Sequence, residues 1–200
     1  MSRKHEIWDT KRSHYYTKTY GTPDDPKQAH AERMATASNL VEGNTVLDVA
    51  CGVGHLYPYI IDMGLEYTGL DNSQDMLDRA REAFPEGSFN YGDIYDLTKH
   101  GIYDTVIAQS ILIHLPDTEK PLRQMWEHTR KTMIFSIPIG NSSTVRVWQK
   151  FDDKNLLAHS ETIENIKKIV DKLENAYIHT VVRTPSIGNT YFKVNRTESY

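Results

Sequence analysis

Short β-rich runs alternate with segments whose apolar residues recur at helical spacing, and the first run empties directly into a glycine loop. That run is Thr45-Val46-Leu47-Asp48-Val49-Ala50, bounded by Gly43-Asn44 before it and by Cys51-Gly52-Val53-Gly54 after it. The pattern is that of a buried strand followed by a tight loop. Leu56, Tyr59, Ile60 and Met63 then repeat at helical spacing. Pro58 falls in the first turns, where its missing N–H costs least, and Gly64 provides a stop. The unit recurs. Glu66–Asp71 reads as a strand, and Ser73 caps a helix that turns Met76, Leu77, Ala80 and Phe84 inward before Pro85 ends it. Further strands are expected at Ser88–Tyr91, at Tyr103–Ala108 and over 132–137, with a helix capped by Asp117 that buries Leu122, Met125 and Trp126.

A helix is expected upstream, over 28–41. Downstream, the stretch from Gly140 to Leu157 shows no clear period. Ser160 is expected to cap a helix carrying Ile163, Ile166, Ile169, Val170 and Leu173 on one face. The chain then closes with strand-like runs over 177–183 and 190–194, joined through Pro185 and Gly188-Asn189. Alternation of this kind predicts an α/β fold with right-handed crossovers. The expectation is a doubly wound Rossmann-like sheet, mostly parallel with a terminal antiparallel strand. A single domain over 1–200 suits the length, with 1–40 as an N-terminal helical cap or lid set off by the turn-rich stretch from Gly21 to Pro26.

Composition narrows the function classes. Hydrophobic residues make up 38% and charged residues 25%, ordinary values for a globular chain, and no apolar run is long enough to span a bilayer. The single cysteine, Cys51, and the absence of an apolar leader after Met1 point to a reduced cytoplasmic setting. A net charge of −4 argues against a nucleic-acid partner. The basic and aromatic residues of the first turns (Arg3, Lys4, Lys11, Arg12 and Lys18 with His14, Tyr15, Tyr16 and Tyr20) read as a solvated helix whose rings pack on the domain. The nine histidines show no zinc-ligand spacing, so no metal site is expected.

Ligands on such sheets bind beyond the carboxyl ends of the strands. The glycines after the first strand let a backbone approach a ligand closely. Asp71 ends the second strand, where a carboxylate can accept from a ribose diol. Gly92-Asp93-Ile94 follows the third, and Gln109-Ser110-Ile111-Leu112-Ile113-His114 follows the fourth. A loop aspartate is ordinarily a turn residue. Three acids, Asp48, Asp71 and Asp93, at three successive strand ends are harder to dismiss.

Val46 to Gly54 resembles the first motif of class I S-adenosylmethionine (SAM)-dependent methyltransferases. Leu70-Asp71-Asn72-Ser73 with Met76-Leu77 resembles the second, and Gly92-Asp93-Ile94 the third. Tyr103 to Ala108 followed by Leu112 to Asp117 resembles the fourth. The resemblance runs from about Val41 to Ile139. It implies SAM as cofactor, with Ala50, Cys51, Gly52 and Gly54 holding the methionyl part through backbone groups and Asp48 helping with the ammonium. It further implies that Asp71 takes the ribose hydroxyls, that Asn72 and Met76 border the adenine, and that Asp93 accepts from the adenine amine with Ile94 on the ring. Gln109 would line the methionyl end, and Cys51 would be a packing residue. The family often has glycine where Ala50 stands.

A nicotinamide-dependent oxidoreductase shares the fold, but its fingerprint needs a third glycine where this chain has Tyr57. A non-catalytic binding domain of the same fold is the other rival. For methyl transfer to a neutral hydroxyl or amine a base is needed, and His114 is the candidate by position. Tyr16 and Tyr20 could close over the site as a lid, and Arg146 and Trp148 could wall the acceptor. Cys51 leaves no second cysteine for cytosine-C5 chemistry, and Ala108-Gln109-Ser110-Ile111 replaces the signature of adenine-N6 and glutamine methylation. The expectation is O- or N-methylation of a small molecule, with a protein or RNA acceptor as the alternative.

Overall fold

The structure is a computed structural model that describes residues 18–22, 26–151, 154–184 and 188–197, apart from the side chains of 148–151 and 154–155. Residues 18–20 are helical, and α1 (Gln28–Ser38) follows. Then come β1 (Thr45–Val49), α2 (Tyr57–Asp62), β2 (Glu66–Asp71), α3 (Gln74–Ala83), β3 (Ser88–Tyr91) and β4 (Tyr103–Ala108). A 3-10 turn (Leu112–His114), α4 (Glu119–Glu127) and β5 (Thr129–Pro138) complete the parallel part. The chain ends with β6 (Thr144–Phe151), β7 (Lys154–Ser160), α5 (Ile163–Val170), β8 (Ala176–Arg183) and β9 (Asn189–Arg196).

The seven-stranded sheet runs β3-β2-β1-β4-β5-β9-β8. β1 pairs in parallel with both β2 and β4, whereas β9 runs antiparallel between β5 and β8. The order reverses at β1 and β4, so the site is expected above their carboxyl ends. β1 is buried from Val46 to Val49 because helices cover both faces, the burial typical of a central parallel strand. One face packs Leu47, Leu70, Val106 and Phe135 against Leu122, Trp126 and Ile166 of α4 and α5. The other packs Val46, Ile107 and Tyr191 against Met34 of α1, Leu56 and Ile60 around α2, and Leu77 of α3. Each fully buried side chain of this kind contributes about 1.5–3 kcal/mol.

Several expectations shift by a turn or a cap. The upstream helix stops at Ser38 rather than at residue 41, and Leu40 and Val41 follow in a tight turn bonded back to Ala37 and Ser38. The last helix is capped by Thr162, whose Oγ1 accepts from the Asn165 amide at 3.0 Å. Ser160 instead closes β7 opposite Thr144. Asp117 does take an amide at the start of α4, from Lys120 at 3.0 Å. The connection from β3 to β4 holds turns and a bridge, Asp93 to Asp96, with no helix.

The stretch without a period is the β6–β7 hairpin, a two-stranded sheet of its own. Val145, Arg146 and Val147 are all exposed, so β6 shows neither the alternation of a half-buried strand nor the apolar run of a central one. Of the expected cap over 1–40, the first seventeen residues and 23–25, Tyr16 among them, lie outside the described residues. Among the described residues no helix is long and apolar enough to cross a membrane.

Candidate active site

The loop after β1 is strained into place. Ala50 has φ 60°, Gly52 φ 58° and Gly54 φ 83°. The left-handed region costs an alanine about 1–2 kcal/mol, which explains why glycine suits that position better. At Gly54 there is also no room, since a Cβ would lie 3.0 Å from the Phe89 ring. Asp71 locks the loop down. Its Oδ2 accepts from the Gly52 amide at 2.9 Å, and its Oδ1 accepts from the Ser73 amide at 2.8 Å. Burial raises its pKa to about 6, against the pull of those amides.

Asp48 lies one turn deeper, 3% exposed, and accepts from the Tyr67 hydroxyl at 2.8 Å. Burial raises its pKa to about 7; the Tyr67 hydrogen bond opposes the shift and the charge of Asp71 adds to it. Burial and the neighbouring Asp71 and Asp48 push the Cys51 thiol up, so the sulfur packs rather than attacks.

Two hollows meet at Ala50. The larger, a cavity of about 510 Å³, is lined by Asn72, Asp93 and Ile94 on one side and by His114, Lys120 and Leu157 on the other. Asp93 ties one carboxylate oxygen, Oδ1, to the Tyr95 amide at 3.0 Å. The smaller recess, about 30 Å³, is lined by Asp48, Cys51 and Gln109 together with His30, Met34 and Ser110. Gln109 is oriented by the Tyr191 hydroxyl, which donates to Oε1 at 3.0 Å, and by a 3.6 Å contact from Nε2 to the Met34 sulfur.

Thus the structure gathers Asp48, Ala50, Cys51, Asn72, Asp93, Ile94 and Gln109 around two hollows that share Ala50 as a wall. Gly52 and Asp71 form the clamp beside it, and Met76 is buried in the first turn of α3 without lining either hollow.

His114 faces the larger cavity from the 3-10 turn, and its Nδ1 lies 2.9 Å from the Leu157 carbonyl of β7. A carbonyl only accepts, so Nδ1 carries the proton and Nε2 the lone pair. Burial, partly offset by that hydrogen bond, holds its pKa below the ordinary value.

The expected acceptor residues are brought together less well. Arg146 is exposed on β6, and Trp148 lies in the same strand with its side chain outside the described residues. Tyr20 lies tilted beside His30, at 5.3 Å between ring centroids.

Arg33 of α1 carries no sequence signal beyond helical spacing, yet it is buried beside the recess, where its NH1 donates to the Ser110 hydroxyl at 3.1 Å. Its position becomes visible only when α1 is laid across the ends of β1 and β4.

Tyr57, in place of a third fingerprint glycine, is 6% exposed and packs edge-on against Tyr67 at 5.3 Å and beside Phe84 at 4.7 Å. A buried ring thus fills the place where a dinucleotide fingerprint has glycine for close helix–strand packing.

The Methyltransferase domain family matches residues 40–193. The chain belongs to that family. Its fold is that of class I methyltransferases. The magnesium protoporphyrin IX methyltransferase of Synechocystis PCC 6803, solved with bound SAM, superposes with a TM-score of 0.75 at 20% identity, covering 98% of either chain. In sequence the chain is 31% identical over 97 residues to a trans-aconitate 2-methyltransferase of Deinococcus radiodurans, 47% of this chain and 37% of that protein. It is 34% identical over 85 residues to a dTDP-3-amino-3,4,6-trideoxy-alpha-D-glucopyranose N,N-dimethyltransferase of Streptomyces venezuelae, 42% of this chain and 35% of that one. The matched part of the chain therefore spans little more than a third of these curated relatives.

Proposed function

We propose that the chain transfers a methyl group from SAM to a small-molecule acceptor, at oxygen or nitrogen. The observation that carries this reading is the pair of hollows on either side of Ala50, with Asp48 in the smaller and Asp93 in the larger. A ligand that suits it has a cationic amine at one end and an aminopurine at the other. Asp48 would pair with the ammonium. Asp93 would accept from the exocyclic amine through Oδ2, its Oδ1 being tied to Tyr95, and Ile94 would lie against the ring. Asp71 would accept from the ribose with the lone pairs its two amides leave open, while holding the glycine loop against the sugar.

Bound there, SAM supplies a methyl group already activated on a sulfonium. The residues then have to align the acceptor, exclude water and take a proton where the acceptor carries one. His114 suits the last task, because its tautomer leaves the lone pair on Nε2 and its lowered pKa keeps it neutral near pH 7. The β6–β7 hairpin, through Leu157, would form the acceptor wall. Tyr16, Tyr20, Arg146 and Trp148 belong to this proposal as lid and rim residues. The curated relatives act on aconitate and on a nucleotide sugar by name, which supports a small acceptor. A single cysteine fits a reducing cytoplasm.

Calorimetric titration with S-adenosylhomocysteine and, separately, with NADH tests the assignment. Binding of the first near the micromolar range and silence with the second is the expected result. NADH binding alone would replace it with hydride chemistry. A protein or RNA acceptor is tested by salt, since binding of nucleic acid weakens steeply as salt rises.

A further inference from the structure

His114 and His159 reach past each other. His114, in the 3-10 turn after β4, places Nδ1 2.9 Å from the Leu157 carbonyl of β7. His159, further along β7, places its own Nδ1 3.1 Å from the carbonyl of Leu115, the residue after His114. The turn and the strand are therefore tied by two bonds from side chain to backbone, running in opposite directions. A ring held by one such bond can still pivot about it. The second bond, on the neighbouring residue, fixes the spacing that the first requires.

The two rings differ in protonation. His159 Nε2 lies 3.0 Å from Glu161 Oε1, and both residues are buried, each 4% exposed. A carbonyl oxygen only accepts. Glu161 takes hydrogen bonds from Asn165 Nδ2 at 2.7 Å, from the Thr118 hydroxyl at 3.2 Å and from the Ser143 hydroxyl, which hold the carboxylate ionised, so it too only accepts. Facing an acceptor on either side, the His159 ring carries both protons, and the carboxylate compensates the buried charge. Burial instead holds the His114 pKa below the ordinary value, so that ring stays neutral with its proton on Nδ1. One histidine is a fixed double donor. The other keeps an acceptor nitrogen on a ring that lines the larger cavity.

We infer that His159 is a positioning residue for His114: anchored by Glu161, it grips the Leu115 carbonyl and so fixes which nitrogen of His114 holds the proton. That Nε2 of His114 then takes a proton from the methyl acceptor rests on the methyl-transfer reading. The positioning itself does not, because it is set by contacts within the chain. The tautomer of a histidine follows the hydrogen bond its other nitrogen makes. Here that bond lasts only while turn and strand keep their spacing.

The test is nitrogen NMR of the histidine rings, which reads the protonation of each ring nitrogen, on isotope-labelled wild type, His159→Asn and His159→Gln, with His114→Gln to assign the His114 signals. An asparagine amide nitrogen stands where histidine carries Nδ1, and a glutamine amide nitrogen where it carries Nε2. His159→Asn therefore keeps the grip on Leu115 and loses Glu161, whereas His159→Gln keeps Glu161 and loses Leu115. In the wild type both His159 nitrogens should be protonated, and His114 should favour the Nδ1 proton by roughly tenfold, as one hydrogen bond allows. His159→Asn should keep that ratio although it is the less stable variant in urea, having left Glu161 buried without its cation. His159→Gln should lose it, the two tautomers falling to comparable populations. A ratio unchanged in His159→Gln overturns the inference. So does a ratio that falls in step with the urea midpoint, being lost most in His159→Asn, which would make His159 structural only. A wild-type His114 protonated on Nε2, or a His159 with a single proton, overturns it as well. Should one variant fail to fold, the wild type and the other variant still decide. The rings are read without ligand, so failure of S-adenosylhomocysteine to bind would count against the methyl-donor reading and leave the tautomer result standing.

Discussion

The wall built by the β1 and β2 ends and the wall built by the β6–β7 hairpin face each other across the cavity but are held by different means. The first is part of the sheet. Its strands are hydrogen-bonded on both sides, its loop is pinned by Asp71, and its acids sit in fixed backbone positions. The second is a two-stranded sheet outside the main one. It is attached by a single backbone bridge, in which the Glu161 amide donates to Pro138 and the Gly140 amide to Glu161, and by side chains: His114 reaches the Leu157 carbonyl, and His159 reaches the Leu115 carbonyl at 3.1 Å in return. At its base Glu161 accepts from Ser143, from Thr118 at 3.2 Å and from Asn165 at 2.7 Å, and it pairs with His159 at 3.0 Å. A wall anchored in the sheet cannot vary without disturbing the core. A wall anchored by a few polar contacts and one backbone bridge can.

Breaking the attachment should have the largest effect. Glu161→Ala leaves His159 without its carboxylate and strips three hydroxyl or amide donors of their acceptor, and should cost about 3–5 kcal/mol of stability. Urea unfolding would measure it. Affinity for S-adenosylhomocysteine at temperatures where the variant stays folded should change little, and a parallel loss would show that the two walls are not independent. Burial pushes the Glu161 carboxyl up, but hydrogen bonds from Ser143 and Asn165, the His159 charge and the Thr118 hydrogen bond hold it below the ordinary value. The stability it contributes is therefore present above its unfolded pKa and is lost as pH falls through the lower folded value.

On the donor side, Asp71→Ala should weaken S-adenosylhomocysteine by about 10- to 100-fold, with little effect on the hairpin, because a charge-assisted acceptor for two amides and the ribose is removed. Calorimetry reads the first and hydrogen exchange of the hairpin amides the second.

The Asp48 pKa near 7 gives an effect of opposite sign on two quantities. Its folded value lies above its unfolded one, so its contribution to the stability of the free protein is full below about pH 4 and declines as pH rises to 7. An ammonium ligand needs the ionised form. Affinity for S-adenosylhomocysteine should therefore rise about tenfold per pH unit up to 7 and then level off. A flat profile between pH 5 and 7 would remove Asp48 from ammonium binding.

The smallest expected change is Ala50→Gly, which relieves a left-handed alanine and should raise stability by about 1 kcal/mol, read from the thermal midpoint. A loss there would mean that the methyl group of Ala50 packs usefully between the two hollows.

How much of this was legible follows from the same contrast. The period of the apolar residues placed β1 to β4 and their helices, because each buries a regular face in a core. Asp48, Ala50, Cys51, Asn72, Asp93, Ile94 and Gln109 could be placed along the cleft because each stands at a strand end or directly after one. The hairpin was not legible, because a strand exposed on both faces carries no period. The N-cap of α5 was misplaced by two residues because Ser160 and Thr162 are equally good caps in a sequence, and only the pairing of Ser160 with Thr144 decides between them.

Arg33 and Asn189 stand 156 positions apart, on α1 and β9, and both reach one serine hydroxyl. By itself the sequence determined the sheet, the glycine loop and the acids along one edge of the cleft, since these follow from local periodicity and strand ends. Tertiary structure alone decided which distant side chains close the other edge. Such contacts depend on how helices and a late antiparallel strand are laid across the sheet, and no spacing along the chain encodes that.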